Sequence, residues 1–157
     1  MEHQEELTDF ERMVAELQRQ VAEEEQALYS ATVIEEAHNP ENLGRMSEPD
    51  ARGLVHGWCG DRMEIYLRLD GEQITEATFM TDGCGATVAC GSMLTKMARG
   101  MLLEKAGEIM PGDLIAALDG LPEEYAHCAE LAVSTLQNAL FNWRAENDDS
   151  PGNARGG

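Results

Sequence analysis

Apolar residues recur every three or four positions through the first segment of the chain, at Leu7, Phe10, Val14, Leu17, Val21 and Leu28, with Glu24 as the interruption. That period predicts an amphipathic helix of about three heptads. Thr8 and Glu11 have the spacing of a capping box at its start. The helix is expected to pack on its own domain rather than serve as a coiled-coil arm, although the heptad-like spacing is also compatible with a homodimer. A second helical stretch, from about Tyr29 to Ala37, stops at His38-Asn39-Pro40, because a residue before proline is driven out of helical geometry. Loop follows to about Asp50.

The period then changes to two. Met63, Ile65, Leu67 and Leu69 alternate with Glu64, Tyr66 and Arg68, which reads as a half-buried strand. Asp70-Gly71 signals a hairpin, Ile74 to Thr81 returns as its partner, and a third strand is expected around Leu54 to Gly57. After Asp82-Gly83-Cys84-Gly85 the pattern switches to helix, from about Ala86 to Arg99, with Gly100 as a stop. Short helices are expected around Leu102 to Glu108 and Pro111 to Leu118. The last helix spans about His127 to Arg144 and gathers Cys128, Leu131, Ala132, Thr135, Leu136, Ala139, Leu140 and Trp143 on one face. The expected architecture is α+β: a small three-stranded antiparallel sheet with helices packed on one face, plus an N-terminal helical extension. Residues 1–28 form the acidic extension, 29–145 the domain and 146–157 a polar, glycine-rich tail expected to be disordered.

Charge narrows the partners. With 30 acidic residues against 11 Lys and Arg, the formal net charge is -19. Nucleic acid is excluded as a natural partner, because phosphate binding depends on neutralisation by Lys and Arg. No run approaches the roughly 20 apolar residues of a membrane helix, so a cytoplasmic protein without a membrane partner is expected. In a reducing compartment the four cysteines are candidates for metal or sulfur chemistry rather than for disulfides.

Three of those cysteines fall at junctions between regular elements. Cys59-Gly60-Asp61 precedes the first clear strand, and residues two apart on an extended chain face one side, so thiol and carboxylate can share a site. Cys84 lies between two glycines at a helix N-terminus, where the helix dipole favours the thiolate. Cys128, with His127 beside it, opens the last helix. By spacing alone the three thiols fit a metal site and small buried hydrophobes equally. Cys90, about 120° around its helix from Cys84, reads as a core residue. His3, His38 and His56 read as surface or packing residues.

From Tyr29 to Trp143 the chain resembles the NifU/IscU-type iron–sulfur cluster assembly scaffolds. The resemblance is carried in order by Tyr29-Ser30, Val33-Ile34, Asn39-Pro40-Glu41-Asn42-Leu43-Gly44, Cys59-Gly60-Asp61, Gly83-Cys84-Gly85 and His127-Cys128. It implies a stoichiometric scaffold rather than an enzyme, with a transient [2Fe–2S] cluster held by Cys59, Cys84 and Cys128. Asp61 or His127 would be the fourth ligand, and Asp61 is also linked to letting the cluster leave. Implied partners are a cysteine desulfurase, an electron donor such as a ferredoxin, and apo iron–sulfur acceptor proteins.

Departures from the family pattern matter as well. Many relatives carry Leu-Pro-Pro-Val-Lys before the His-Cys pair, the recognition motif of an Hsp70-type chaperone. Here the segment reads Leu121-Pro122-Glu123-Glu124-Tyr125, which argues against delivery through that chaperone. Cys90 stands where many relatives have serine. The same ligands could hold zinc in a sulfur acceptor resembling the SufU branch. That branch lacks the histidine before the last cysteine and carries an insertion, whereas His127 is present and the stretch from Cys84 to Cys128 is uninterrupted. A structural protein whose cysteines merely pack is the other alternative.

Overall fold

A computed structural model of the chain describes residues 8–57 and 60–148. Leu7, Cys59 and residues 149–157 of the expected tail therefore lie outside the described residues. Helix α1 (Asp9–Leu28) begins with the capping box: the Glu11 amide donates to the Thr8 hydroxyl and the Thr8 amide to the Glu11 carboxylate, both at 3.0 Å. The expectation that α1 packs on its own domain is not met. None of its residues is buried, and Phe10, Met13, Leu17 and Val21 are each more than half exposed. It reaches the rest of the molecule chiefly at α2 (Ala31–His38), where the His38 ring lies 3.1 Å from the Glu25 carboxylate.

Strands β1 (Ala51–His56), β2 (Arg62–Asp70) and β3 (Gln73–Thr81) form an antiparallel sheet with β2 in the middle. The register aligns Gly53, Ile65 and Phe79 across the sheet. On that face Met63, Ile65, Leu67 and Phe79 are fully enclosed, and each such side chain contributes roughly 1.5–3 kcal/mol by leaving water. Helix α3 (Gly85–Ala98) covers β3, while α6 (Ala126–Asp148) crosses β1 and β2. The short helices α4 (Leu103–Ala106) and α5 (Pro111–Ala117) close the end of this layer with Leu103 and Leu114. A sheet with its helices on one face was expected, but α6 runs past the expected end at Arg144. With the inner face of the sheet taken by α3 and α6, no apolar surface remains there for α1.

The contact of α6 with β1 is backbone on backbone. A Cβ on Gly53 would lie 2.6 Å from the Ala139 amide nitrogen and closer still to the Thr135 carbonyl oxygen. Side chains lock this approach: the Asn138 carbonyl oxygen accepts from the Leu54 amide and the Asn142 amide donates to the Arg52 carbonyl, each at 2.9 Å. The pairing fixes where α6 starts and hence where Cys128 stands.

The outward-facing positions of β2 are less open than simple alternation predicts. Glu64 and Tyr66 are both only 4% exposed. The Tyr66 hydroxyl donates to the Glu64 carboxylate, and Arg45, Arg62 and Arg52 surround it at 3.3, 3.5 and 3.8 Å. The tyrosine hydrogen bond first, and then the three guanidinium groups, hold Glu64 below the usual carboxylate range against the opposing effect of burial. Arginine stems thus cover this face in place of helices.

The Asn39–Gly44 segment proves to be framework rather than chemistry. Asn42, at φ +66°, lets the chain bond along β3, with the Phe79 amide donating to the Asn42 carbonyl at 2.9 Å and the Gly44 amide to the Phe79 carbonyl at 2.8 Å. Beside it, the Ser92 hydroxyl donates to the buried Glu36 carboxylate at 2.5 Å and accepts from the Glu41 amide at 2.9 Å. Lys96 completes the pin between α2 and α3 at 2.6 Å from Glu36.

Replacing Gly53 by alanine is expected to cost about 1–3 kcal/mol, because both obstructing groups are main chain and cannot swing aside. Thermal melting of Gly53→Ala against the parent chain checks this.

Candidate functional site

Three junctions meet at one corner of the sheet: the loop before β2, the turn from β3 into α3, and the start of α6. Asp61 stands at the first, Cys84 is the N-cap of α3, and Cys128 lies in the first turn of α6. The Gly57 amide donates to the Asp61 carbonyl at 2.6 Å, the Gly60 amide donates to the Gly57 carbonyl at 3.0 Å, and Gly60 takes φ +99°. Cys59 lies outside the described residues, and with it the expected placement of Cys59 and Asp61 on one side of the chain.

Asp61 is fixed from behind. The Arg62 amide donates to the Asp82 carboxylate at 2.9 Å, the Thr81 hydroxyl donates to the Arg62 carbonyl at 2.6 Å, and the Gly83 amide donates to the Thr81 hydroxyl at 3.1 Å. The start of β2 and the start of α3 are thus one tied unit. Gly83 is required for a steric reason: a Cβ there would lie 2.8 Å from Asp61 Oδ2 and equally close to Thr87 Cβ and Oγ1.

Thr87, in the first turn of α3 and fully buried, links the functional groups. Its Oγ1 lies 3.2 Å from Asp61 Oδ2, 3.3 Å from Cys128 Sγ and 3.6 Å from Cys84 Sγ. Nothing in the residue pattern signals this role, since a threonine within a helix reads as a packing residue. His127 stands beside Cys128, its Nε2 3.8 Å from the sulfur. The Tyr29 and Tyr125 rings, 5.6 Å apart, lie close by. Burial first, then a hydrogen bond with Tyr125 and the nearby Cys84 and Cys128 charges, keep the Tyr29 hydroxyl protonated.

The two described thiols of the site differ. At Cys84 burial opposes ionisation, but the Thr87 amide and hydroxyl, the Ala86 amide and the Cys128 thiol outweigh it, and the pKa falls below the ordinary thiol value. Cys84 is exposed and Cys128 is fully buried. Burial pushes Cys128 up to about 11, with the Cys84 and Asp61 charges adding and the Thr87 hydroxyl opposing. Cys90 faces the core with no exposure, and burial holds its thiol well above the ordinary value. Among the described residues no group of three His, Cys, Asp or Glu converges closely enough to hold a metal ion. Asp61, Cys84 and Cys128 nevertheless share one neighbour, Thr87, and the chemistry of that donor set suits a soft metal with one harder ligand.

The sequence model of the family described as "NifU-like N terminal domain" matches residues 28–150. The chain belongs to this family. It is 36% identical over 121 residues to the iron-sulfur cluster assembly scaffold protein IscU 1 of Archaeoglobus fulgidus, covering 76% of this chain and 79% of that protein. It is 34% identical to the iron-sulfur cluster assembly scaffold protein IscU of Haemophilus influenzae, covering 75% of this chain and 97% of the relative. The nitrogen fixation protein NifU of Azotobacter chroococcum is 39% identical over 75% of this chain, which spans 39% of NifU's length. In fold, this member of the NifU-like family matches the N-terminal part of a NifU-like protein from Brucella abortus with a TM-score of 0.61 at 18% identity, over 74% of this chain and 94% of the other. A proposed scaffold protein for the SUF system from Fervidobacterium islandicum matches with a TM-score of 0.62 at 20% identity, over 71% and 96% of the two chains. Both agree with a three-stranded antiparallel sheet carrying helices.

The thiols should label in order of thiolate content and access. Near pH 8, limited iodoacetamide treatment followed by peptide mass mapping is expected to modify Cys84 first and Cys128 much more slowly, leaving Cys90 untouched. Equal labelling of Cys84 and Cys128 would contradict the asymmetry derived above.

Proposed function

We propose that this chain is a stoichiometric scaffold on which a labile [2Fe–2S] cluster is built and from which it is passed to acceptor proteins. The observation that carries this reading is the meeting of Cys84, Cys128 and Asp61 around Thr87, at two helix N-termini, in a chain of the NifU-like family. Relatives that match most of its length are named iron-sulfur cluster assembly scaffolds.

Iron and sulfide are cargo in this reading. Cys59, two residues before Asp61, supplies the third thiolate beside Cys84 and Cys128, and Asp61 or His127 completes the set. Thiolates suit the cluster, whereas a carboxylate or imidazole is the weaker match that lets cargo depart. A cysteine desulfurase delivers sulfur as persulfide. Each persulfide sulfur takes two electrons to become sulfide, hence the expected ferredoxin-type donor. The Leu121–Tyr125 segment, with Glu123 and Glu124 in a single 3-10 turn, lacks a lysine and gives an Hsp70-type chaperone no basic handle. Among the described residues no helix is long and apolar enough to cross a membrane.

The test is anaerobic reconstitution with iron, cysteine, a desulfurase and a reductant, followed by transfer to an apo-ferredoxin. The expected product is a [2Fe–2S] chromophore that moves to the acceptor and is lost when Cys59, Cys84 or Cys128 is replaced. A colourless protein that retains zinc and accelerates desulfurase turnover would instead establish a sulfur acceptor. Asp61→Ala is expected to lengthen cluster lifetime and slow transfer, by about tenfold or more if one charged ligand is at stake. An unchanged lifetime would remove Asp61 from the release step.

A further inference from the structure

We propose that Thr87 is the positioning residue for Asp61: its hydroxyl holds the carboxylate in register with Cys84 and Cys128, and through Asp61 it sets how readily the site releases its cargo. The inference rests on the scaffold reading above.

The Thr87 hydroxyl is the hub of the arrangement. It has one proton to donate and two lone pairs with which to accept. Around Thr87 Oγ1 stand a carboxylate oxygen at 3.2 Å and two sulfurs at 3.3 and 3.6 Å. A carboxylate can only accept, and Thr87 Oγ1 stands as donor both to Asp61 Oδ2 and to Cys128 Sγ, so its one proton is shared between carboxylate and sulfur, with Cys84 Sγ a further neighbour. One side chain thus serves groups that it cannot satisfy together. Sulfurs that bind iron can only accept, so both then compete with Asp61 for the same proton. The hold on Asp61 then weakens as the site fills, leaving the carboxylate aligned yet free to approach or leave the metal.

The surroundings leave Thr87 little freedom to do anything else. It is fully buried in the first turn of α3. Gly83 provides the space in which Asp61 and Thr87 meet, since any Cβ there would strike both. The Asp82–Arg62 and Thr81–Arg62 bonds keep the backbone beside Asp61 from drifting, so the Asp61 side chain is the movable part. Among the described residues its side chain is bonded by Thr87.

The test uses the full chain with Thr87→Val, which keeps shape and removes the hydroxyl, and Thr87→Ser, which keeps the hydroxyl and removes a methyl group. Each is made alone and combined with Asp61→Ala. Two readouts are taken: Co(II) affinity and absorption of the metal-free protein, and cluster half-life with transfer rate after reconstitution. The expected result is that Thr87→Val reproduces Asp61→Ala in both readouts, about a tenfold change from loss of a hydrogen bond to a charged group. Thr87→Ser should stay near the parent, and Thr87→Val should add less than about twofold on the Asp61→Ala background. A side chain that only fills space gives the opposite ranking, with valine tolerated and serine impaired, and that ranking would overturn the proposal. So would full additivity of Thr87→Val and Asp61→Ala. If the parent binds Co(II) but forms no transferable cluster, the scaffold reading fails, and the Co(II) comparison alone decides the role of Thr87.

Discussion

At Gly53 the backbone of α6 rests directly against β1, and the position of everything functional follows from that approach. Ala139 and Thr135 occupy the space a side chain would need, while Asn138 and Asn142 bond the exposed strand edge. A long helix seated at one point and crossing two strands has few orientations left. Its N-terminus therefore arrives at the corner where β2 begins and α3 starts. Cys128 is delivered by packing roughly 10 to 16 Å of helix away, the rise at 1.5 Å per residue from Cys128 to Thr135 and Ala139.

At that corner, identical side chains acquire different chemistry from their surroundings. Cys84 stands at the N-cap position of α3, where the nearby Thr87 and Ala86 amides favour its thiolate against the opposing effect of desolvation. Cys128 also sits at a helix start, but it is enclosed and flanked by the charges of Cys84 and Asp61, and its pKa rises. Helix position alone does not set a thiol's acidity; the balance between amide donors and desolvation does. The result is one exposed, reactive sulfur beside one shielded sulfur, with a carboxylate between elements rather than at the centre of a finished cage.

Much of the frame was legible in the sequence because it is written in period. Alternation from Met63 to Leu69 placed β2, the capping pair Thr8 and Glu11 placed the start of α1, and the apolar face from Cys128 to Leu140 placed α6. What periodicity cannot state is what covers a face. The stripe of α1 has the spacing of a packed helix, yet Phe10, Leu17 and Val21 stand open because α3 and α6 already occupy the sheet. Glu64 and Tyr66 look like solvent-facing residues until Arg52 from the neighbouring strand, Arg62 from β2 itself and Arg45 from the loop before β1 gather at the Glu64 carboxylate. At the site, Cys84, Cys128 and Asp61 were visible as chemistry-bearing residues at junctions. Thr87 was not, since its role depends on a distance between α3 and the loop before β2. Nor could the bend at Gly60 be read, because glycine permits a positive φ without announcing one.

The site also shows why tightness is not what this corner is built for. A structural metal centre surrounds its ion with ligands fixed in advance and a shell that locks each one. Here the described thiols and the carboxylate do not converge into a closed set, and they share one hydroxyl that cannot serve all of them at once. Backbone ties hold the junctions rigid, while the last hydrogen bond to Asp61 depends on a proton that ligated sulfurs would contest. A rigid frame carrying an under-satisfied donor set lowers the cost of both admitting and giving up cargo. That is what the proposed role, building a cluster and passing it on, would require of the site.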